Sequence, residues 1–225
     1  MSTGRTDPPA AGAGPGRKAW LAVEYLLLFV ALPLLWAAGR LDLPLLPTLW
    51  IFSLGCLLFL LADNKFDRRS LWNAERAGRR LARATLPFLV LAPLLALGLL
   101  LLEPERLFAF VRQRPLLWAL VMVLYPLLSA YPQGIIYRVF IFQRDRELFP
   151  GRRAMIAASA LAFALVHLIF SNAVAPPLSF VGGLLFAWTY ERTRSSLVAT
   201  FQHALFGCFI FTIGWGWYFY HAALR

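Results

Sequence analysis

Long apolar runs, separated by short clusters of basic and turn-forming residues, set the pattern of this chain. A hydrocarbon core about 30 Å thick needs roughly 20 apolar residues of helix at 1.5 Å each. On that measure seven runs predict spanning helices, at Ala19–Ala38, Leu45–Ala62, Ala84–Leu102, Pro115–Gln143, Ala154–Phe170, Pro177–Tyr190 and Leu197–Tyr220. The expected fold is all-α, a polytopic membrane bundle of about seven transmembrane helices. The sixth run is short, bracketed by Ala175-Pro176-Pro177 and Glu191-Arg192, so it is expected to extend, tilt or enter only part way. Residues 1–17 are rich in Gly, Ala and Pro and carry no large apolar side chain; a segment that buries so little surface is expected to be a disordered tail. The first run follows Arg17-Lys18, yet it exceeds the roughly 7–15 apolar residues of a signal peptide and contains Glu24. An uncleaved anchor is expected.

Composition agrees with the pattern: of 225 residues 60% are hydrophobic and 15% charged, with a mean hydropathy of +0.65, which excludes an ordinary soluble domain. The net charge of +11 would point to nucleic acid in a soluble protein. Here the basic residues fall between apolar runs, so no nucleic-acid partner is expected. With the N-terminus on the cytoplasmic side, that side collects sixteen Lys and Arg: Arg5, Arg17 and Lys18 ahead of the first run, seven from Lys65 to Arg83, four from Arg144 to Arg153, and Arg192 with Arg194. The opposite side collects five, Arg40, Arg106, Arg112, Arg114 and Arg225. This bias predicts a cytoplasmic N-terminus. Cys56 and Cys208 both sit inside apolar runs, so neither a disulfide framework nor a paired-thiol metal site is expected.

A charge or imidazole inside a spanning helix costs roughly 2.5–3.5 kcal/mol or more unless it faces protein or trapped water, so such residues are functional candidates. They are Glu24, Arg138, His167 and His203, with Gln133 beside them; His221 falls at the last membrane edge, where an interfacial role is expected. Glu24 lies about 9 Å in from Lys18 and at a depth comparable to Arg138, which makes it the expected counter-ion of that arginine, or else a replacement carboxylate. His203 lies about 9 Å in from Leu197 and His167 roughly 20 Å from Ala154. The two line up only if the fifth helix starts later than drawn or the site sits near mid-membrane. The aromatic cluster Trp215-Trp217-Tyr218-Phe219-Tyr220 is expected to be an interfacial belt.

Local patterns carry more than single residues. The fourth run holds Tyr131-Pro132-Gln133-Gly134-Ile135-Ile136-Tyr137-Arg138, the fifth Phe163-Ala164-Leu165-Val166-His167, and the last His203-Ala204-Leu205-Phe206-Gly207. Between the last two lies Gly182-Gly183 on a helix that ends in the short basic turn from Glu191 to Arg194. In order and spacing these resemble the CPBP family of membrane proteins, which includes the type II CAAX prenyl endopeptidases and bacteriocin-processing or immunity proteins. That family shows Glu-Glu-x-x-x-Arg, Phe-x-x-x-His, a Gly-rich helix with a basic turn, and His-x-x-x-Asn or His-x-x-x-Asp. The resemblance covers roughly Leu116 to Phe211. It departs at three positions: the paired glutamates fall on Gln133 and Gly134, and the terminal Asn falls on Gly207.

The resemblance implies an intramembrane endopeptidase in which a glutamate activates water and the histidines assist or stabilise the oxyanion. His167, His203, Arg138 and the degenerate Gln133 position are the implied catalytic set, with Glu24 and Phe163 in support. Gln133 cannot take a proton at neutral pH, and general-base assistance is worth about 10²–10⁴-fold. The expected function is therefore cleavage of membrane-anchored or lipidated protein tails without the usual glutamate pair. The alternative is a catalytically inactive member acting as a membrane peptide-binding or immunity-type protein. A small-solute or lipid transporter is a second alternative, opposed by the lack of an internal repeat. No cofactor is expected, and no metal, since His167 and His203 are two ligands where catalytic zinc takes three. The implied partners are the bilayer and a membrane-anchored or lipidated peptide, and the expected location is the bacterial plasma membrane. In domain terms residues 1–17 form the tail, 18–110 the N-terminal transmembrane helices and 111–225 the CPBP-like core.

Overall fold

The computed structural model describes residues 14–75 and 77–220, and every regular element among them is helical. Seven long helices carry the fold: α1 (Pro15–Ala37), α2 (Leu45–Ala62), α3 (Ala77–Leu102), α4 (Pro115–Arg144), α5 (Arg152–Phe170), α6 (Ala175–Thr193) and α7 (Ser196–Ile213). All but α6 are long and apolar enough to cross a membrane by length and composition. The chain is an integral, multi-pass membrane protein. Helix α6 has the length, 19 residues, but its prolines, glycines and terminal Glu191-Arg192 dilute its apolar character. It exceeds the expected Pro177–Tyr190 at both ends, and its start is capped by Asn172, whose Oδ1 accepts from the backbone N–H groups of Val174 (3.0 Å) and Ala175 (2.8 Å). Helix α1 also begins earlier than expected, because Pro15 occupies its first turn, where the missing N–H is no loss. Residues 15–17, assigned to the tail from sequence, are thus helical. The rest of that tail and His221 lie outside the described residues.

Two helices widen locally into π-turns. Helix α1 widens into a π-turn at Leu27–Ala31, just before Pro33, and α4 does so twice, at Pro126–Ala130 and Ile135–Phe140. Pro126 and Pro132 lack the N–H that would close a regular turn, and single π-turns gather at functional sites. All six residues of the second π-turn of α4, Arg138 among them, are buried. Helices α5 and α6 approach closely across Gly183: a Cβ there would meet the Ala160 Cα at 2.9 Å and the Phe163 ring at 3.2 Å. Small residues permit such contact between membrane helices. Helix α7 is held to α3 by Gln202, whose amide donates to the Ala84 carbonyl at 2.6 Å. Outward-facing side chains remain apolar, with Leu116, Leu101 and Ile51 largely exposed, as suits a hydrocarbon surround.

The ends of the helices collect the ion pairs. Glu24 forms a bidentate pair with Arg144, at 2.7 Å to Nε and 2.5 Å to Nη2, and the Arg144 guanidinium lies 4.9 Å from the centre of the Phe59 ring. Arg17 pairs with Glu147 beside it. The expected Glu24–Arg138 pair is therefore corrected: Arg138 turns inward towards α5 and α6, and Arg144, six residues nearer the helix end, takes the glutamate. Next to this pair Asp145 is 1% exposed, and neither carboxylate oxygen has a partner among the described residues. Burial, with Glu24 nearby, pushes its carboxyl up to about 7 from an ordinary 3.8, against the opposing pull of Arg144. The C-terminal aromatic cluster is not a simple belt either. Trp215 is buried and donates to the Leu95 carbonyl at 2.8 Å, and the Phe219 ring packs 5.7 Å from that of His167.

Two measurements test this arrangement. Glu24→Arg and Arg144→Glu should each lower thermal stability by about 1–3 kcal/mol, and the double variant should recover most of the loss, whereas Glu24→Arg with Arg138→Glu should recover none. Asp145 holds its proton more tightly when folded than when unfolded, so its contribution to stability is complete below about pH 4 and declines as pH rises to about 7. In Asp145→Asn that slope should vanish, and stability at pH 8 should rise by on the order of 1–3 kcal/mol; an unchanged slope would refute the assignment.

Candidate functional site

All seven long helices contribute to one cavity of about 300 Å³, lined mostly by Leu, Phe and Ile, with a small polar set that comes mainly from α4 to α7 and includes Thr48 of α2. Helix α4 supplies Tyr125, Ser129 and Gln133, spaced four apart and hence on one face; α5 supplies Phe163 and His167, α6 Ser179 and Phe186, and α7 His203 with Gly207. Of the residues singled out from sequence, Gln133, Phe163, His167 and His203 meet in this wall. Glu24 does not, being held by Arg144. Arg138 lies behind the wall rather than in it. The difference in depth between the histidines remains, since α5 starts at Arg152, earlier than drawn, and His167 occupies its final, tightened turn while His203 lies in the second turn of α7; the ring of Phe163 packs against both.

The two imidazoles are held differently. His167 Nδ1 donates to the Phe163 carbonyl four residues earlier, at 2.6 Å, which in the neutral ring leaves Nε2 as the lone-pair nitrogen. His203 Nε2 lies 3.0 Å from the Tyr125 hydroxyl, and its Nδ1 has no partner among the described residues. Its ring is stacked on Phe186, with centroids 4.7 Å apart, and meets Phe163 edge-on at 5.2 Å. Phe163 in turn meets His167 at 4.7 Å. One phenyl ring thus spaces both histidines.

Arg138 is 1% exposed. One nitrogen donates to the Gln133 carbonyl at 3.3 Å, while Nε and Nη2 have no partner, and none of the ion pairs among the described residues includes it. Its guanidinium carbon lies 4.3 Å from the Phe163 ring centre and 5.2 Å from that of Phe186. A desolvated cation over an aromatic face is worth about 2 kcal/mol. Two such faces offset only part of the several kcal/mol that burying an ion costs, of order 20 kcal/mol in the idealised limit. Arg138 is a buried cation solvated by aromatic rings in place of a carboxylate.

Gly134 and Gly207, at two of the positions where the motif pattern departs, are not vacancies. A Cβ at Gly134 would sit 2.5 Å from the Thr200 hydroxyl oxygen, and one at Gly207 would fall within the Tyr125 ring. Ser196, Thr200, His203 and Gly207 share one face of α7, at intervals of four, three and four, so the helix presents both fillers and gaps to α4. Tyr125 and Thr200 were not candidates in the sequence. Tyr125 sits eight residues before Gln133, two turns away on the same face, a signal visible once the site face of α4 is known. Thr200 had none, because its role depends on the distance between two helices.

None of the described Asp or Glu residues lines the cavity. The wall therefore offers an amide, three aliphatic hydroxyls, two phenols and two imidazoles, groups that donate and accept hydrogen bonds around an apolar guest, with the Arg138 guanidinium set against the rings of Phe163 and Phe186. Packing makes a direct prediction. Gly207→Asn should destabilise the protein by about 1–3 kcal/mol through overpacking, and Gly207→Asn with Tyr125→Ala should restore stability; thermal melts of the three proteins in detergent decide it.

No curated protein and no solved structure matches this chain. Residues 115–209 match the family model described as Rce1-like, type II CAAX prenyl endopeptidase Rce1-like. This stretch runs from the start of α4 into α7 and holds Gln133, Arg138, Phe163, His167 and His203. The match, over less than half of the chain, supports membership of the CPBP family of membrane proteins.

Proposed function

We propose that this chain is a non-hydrolytic member of its family, which binds a membrane-anchored or lipidated peptide tail in the seven-helix cavity without cleaving it. One observation carries the reading: the described carboxylates are all outside the cavity wall, and the space at the two glycine positions is taken by Thr200 and Tyr125. Amide hydrolysis needs a base to deprotonate water and donors where oxyanion charge develops. The donors remain, in Tyr125, Ser129, Ser179 and the histidines. Glu24 is paired with Arg144 and Glu191 with Arg194, so in this reading neither replaces the glutamate pair, which favours binding over the cleavage expected from sequence. A competing reading, hydrolysis with His167 as base, is favoured by its Nε2 lone pair.

Cleavage assays on a panel of prenylated and membrane-anchored tails separate the two. The native protein should cross-link to a photoreactive tail but release no fragment above the level of His167→Ala. Restoring the acids requires Thr200→Ala along with Gln133→Glu and Gly134→Glu, because with the hydroxyl removed the nearest Thr200 atom to a Cβ at 134 is its own Cβ, at 3.8 Å. The triple variant should gain cleavage by about 10²-fold or more over background. Fragment release by the native protein that disappears in His167→Ala would overturn the proposal.

A further inference from the structure

We propose that the loop joining α2 to α3, with the first turns of α3, binds anionic phospholipid headgroups, at a surface separate from the cavity and independent of what the cavity holds. From Asp63 to Arg83 the sequence has seven Lys or Arg against three acids, Asp63, Asp67 and Glu75. The acids are used within the protein. Asp63 accepts from the Lys65 backbone N–H and from the Gln143 amide, both at 2.9 Å, Asp67 accepts from the Arg69 backbone N–H at 3.0 Å, and Glu75 lies 4.0 Å from Arg80. Of the cations, Lys65, Arg68, Arg69, Arg79 and Arg83 are exposed, and none of these five enters an ion pair among the described residues. The acids shape the segment, and its cations are left for an anion from outside.

Position decides which anion. Helices α2 and α3 both have spanning length and composition, so the segment between them lies at the bilayer face. Arg79 and Arg83 are four residues apart at the start of α3 and share one side of it. The loop is also held in place: Phe66 and Leu71 are buried, and Ser195, which caps α7, donates its hydroxyl to the Asn73 carbonyl at 2.8 Å. Within the single helical turn Arg69–Trp72, the indole of Trp72 stacks on Tyr131 with centroids 5.3 Å apart, yet the residue stays more than half exposed. A tryptophan that is packed on one side and open on the other suits headgroup depth, which favours a lipid over a soluble acidic partner. Basic residues clustered beside a spanning helix attract anionic lipid, each contributing about fivefold to affinity near such a surface, and salt screens the attraction.

The test uses the full chain in a neutral detergent, titrated with phosphatidylglycerol or with phosphatidylcholine of the same acyl chains, and bound lipid is counted by native mass spectrometry. Phosphatidylglycerol should bind about tenfold or more tightly at low salt, and the preference should shrink to about threefold or less at about 0.5 M salt. Lys65→Gln, Arg69→Gln, Arg79→Gln and Arg83→Gln together should reduce it to about twofold. Arg68 is left in place because its Nη2 donates to the Leu61 carbonyl at 3.1 Å. Arg69→Lys with Arg79→Lys and Arg83→Lys should retain the preference, since charge is what the headgroup meets. Arg40→Gln with Arg112→Gln and Arg114→Gln, at the opposite end of the bundle, should also leave it unchanged. Equal affinity for the two lipids at low salt would overturn the inference, as would a preference that survives the four Gln substitutions or is lost in either of the other two sets. Oligoglutamate that binds more tightly than phosphatidylglycerol, and is released by the four Gln substitutions, would overturn it in favour of a soluble acidic partner.

Discussion

The guanidinium of Arg138 has to be faced by something, because a cation taken out of water inside a membrane protein is stable only against groups that stand in for its hydration. In this chain those groups are the rings of Phe163 and Phe186, at 4.3 and 5.2 Å. The need to place two aromatic faces over one side chain of α4 brings α5 and α6 together. Their approach is possible because Gly183 leaves the Ala160 backbone unobstructed. His203 is wedged against the same two rings, and His167 against one of them. The geometry of the polar end of the cavity thus follows from solvating one charge without a carboxylate.

The space beside two glycines of this core is filled from the facing helix. Protein interiors are packed as densely as organic crystals, so a position that loses a side chain must collapse or be filled. Gly134 is filled from α7 by Thr200, and Gly207 from α4 by Tyr125. Both fillers are neutral hydroxyl groups. Tyr125 also reaches His203 Nε2, so the imidazole keeps a hydrogen-bonding partner. Both positions are thus filled by neutral, hydroxyl-bearing side chains, and the cavity is formed without a described acid in its wall.

Five ion pairs join described residues, and none includes Arg138. Glu24 with Arg144 and Arg17 with Glu147 close one end of the bundle. Glu103 with Arg106 and Tyr218 lies beyond the end of α3, beside Asn172, which donates to the Tyr218 carbonyl at 2.7 Å. Such placement keeps ion pairs where water can share their solvation. Arg138 is the exception, buried and outside every ion pair among the described residues.

What the sequence by itself determined is the membrane class, the seven helical runs and the identity of the polar residues within them. These follow from local properties: apolar length against bilayer thickness, and the high cost of any polar group left in hydrocarbon. Gln133, Phe163, His167 and His203 were legible because they recur at fixed spacings along single helices. The partner of Glu24, the aromatic solvation of Arg138, the filling of Gly134 and Gly207, and the use of Phe219 beside His167 were not. Each depends on how helices rotate and how far apart they stand, and depth along a helix does not encode rotation. Glu24 and Arg138 have similar depth, yet Arg138 points into the α5–α6 seam while Glu24 meets Arg144. Only the tertiary structure decides such pairings, because a contact between helices is a property of two faces at once.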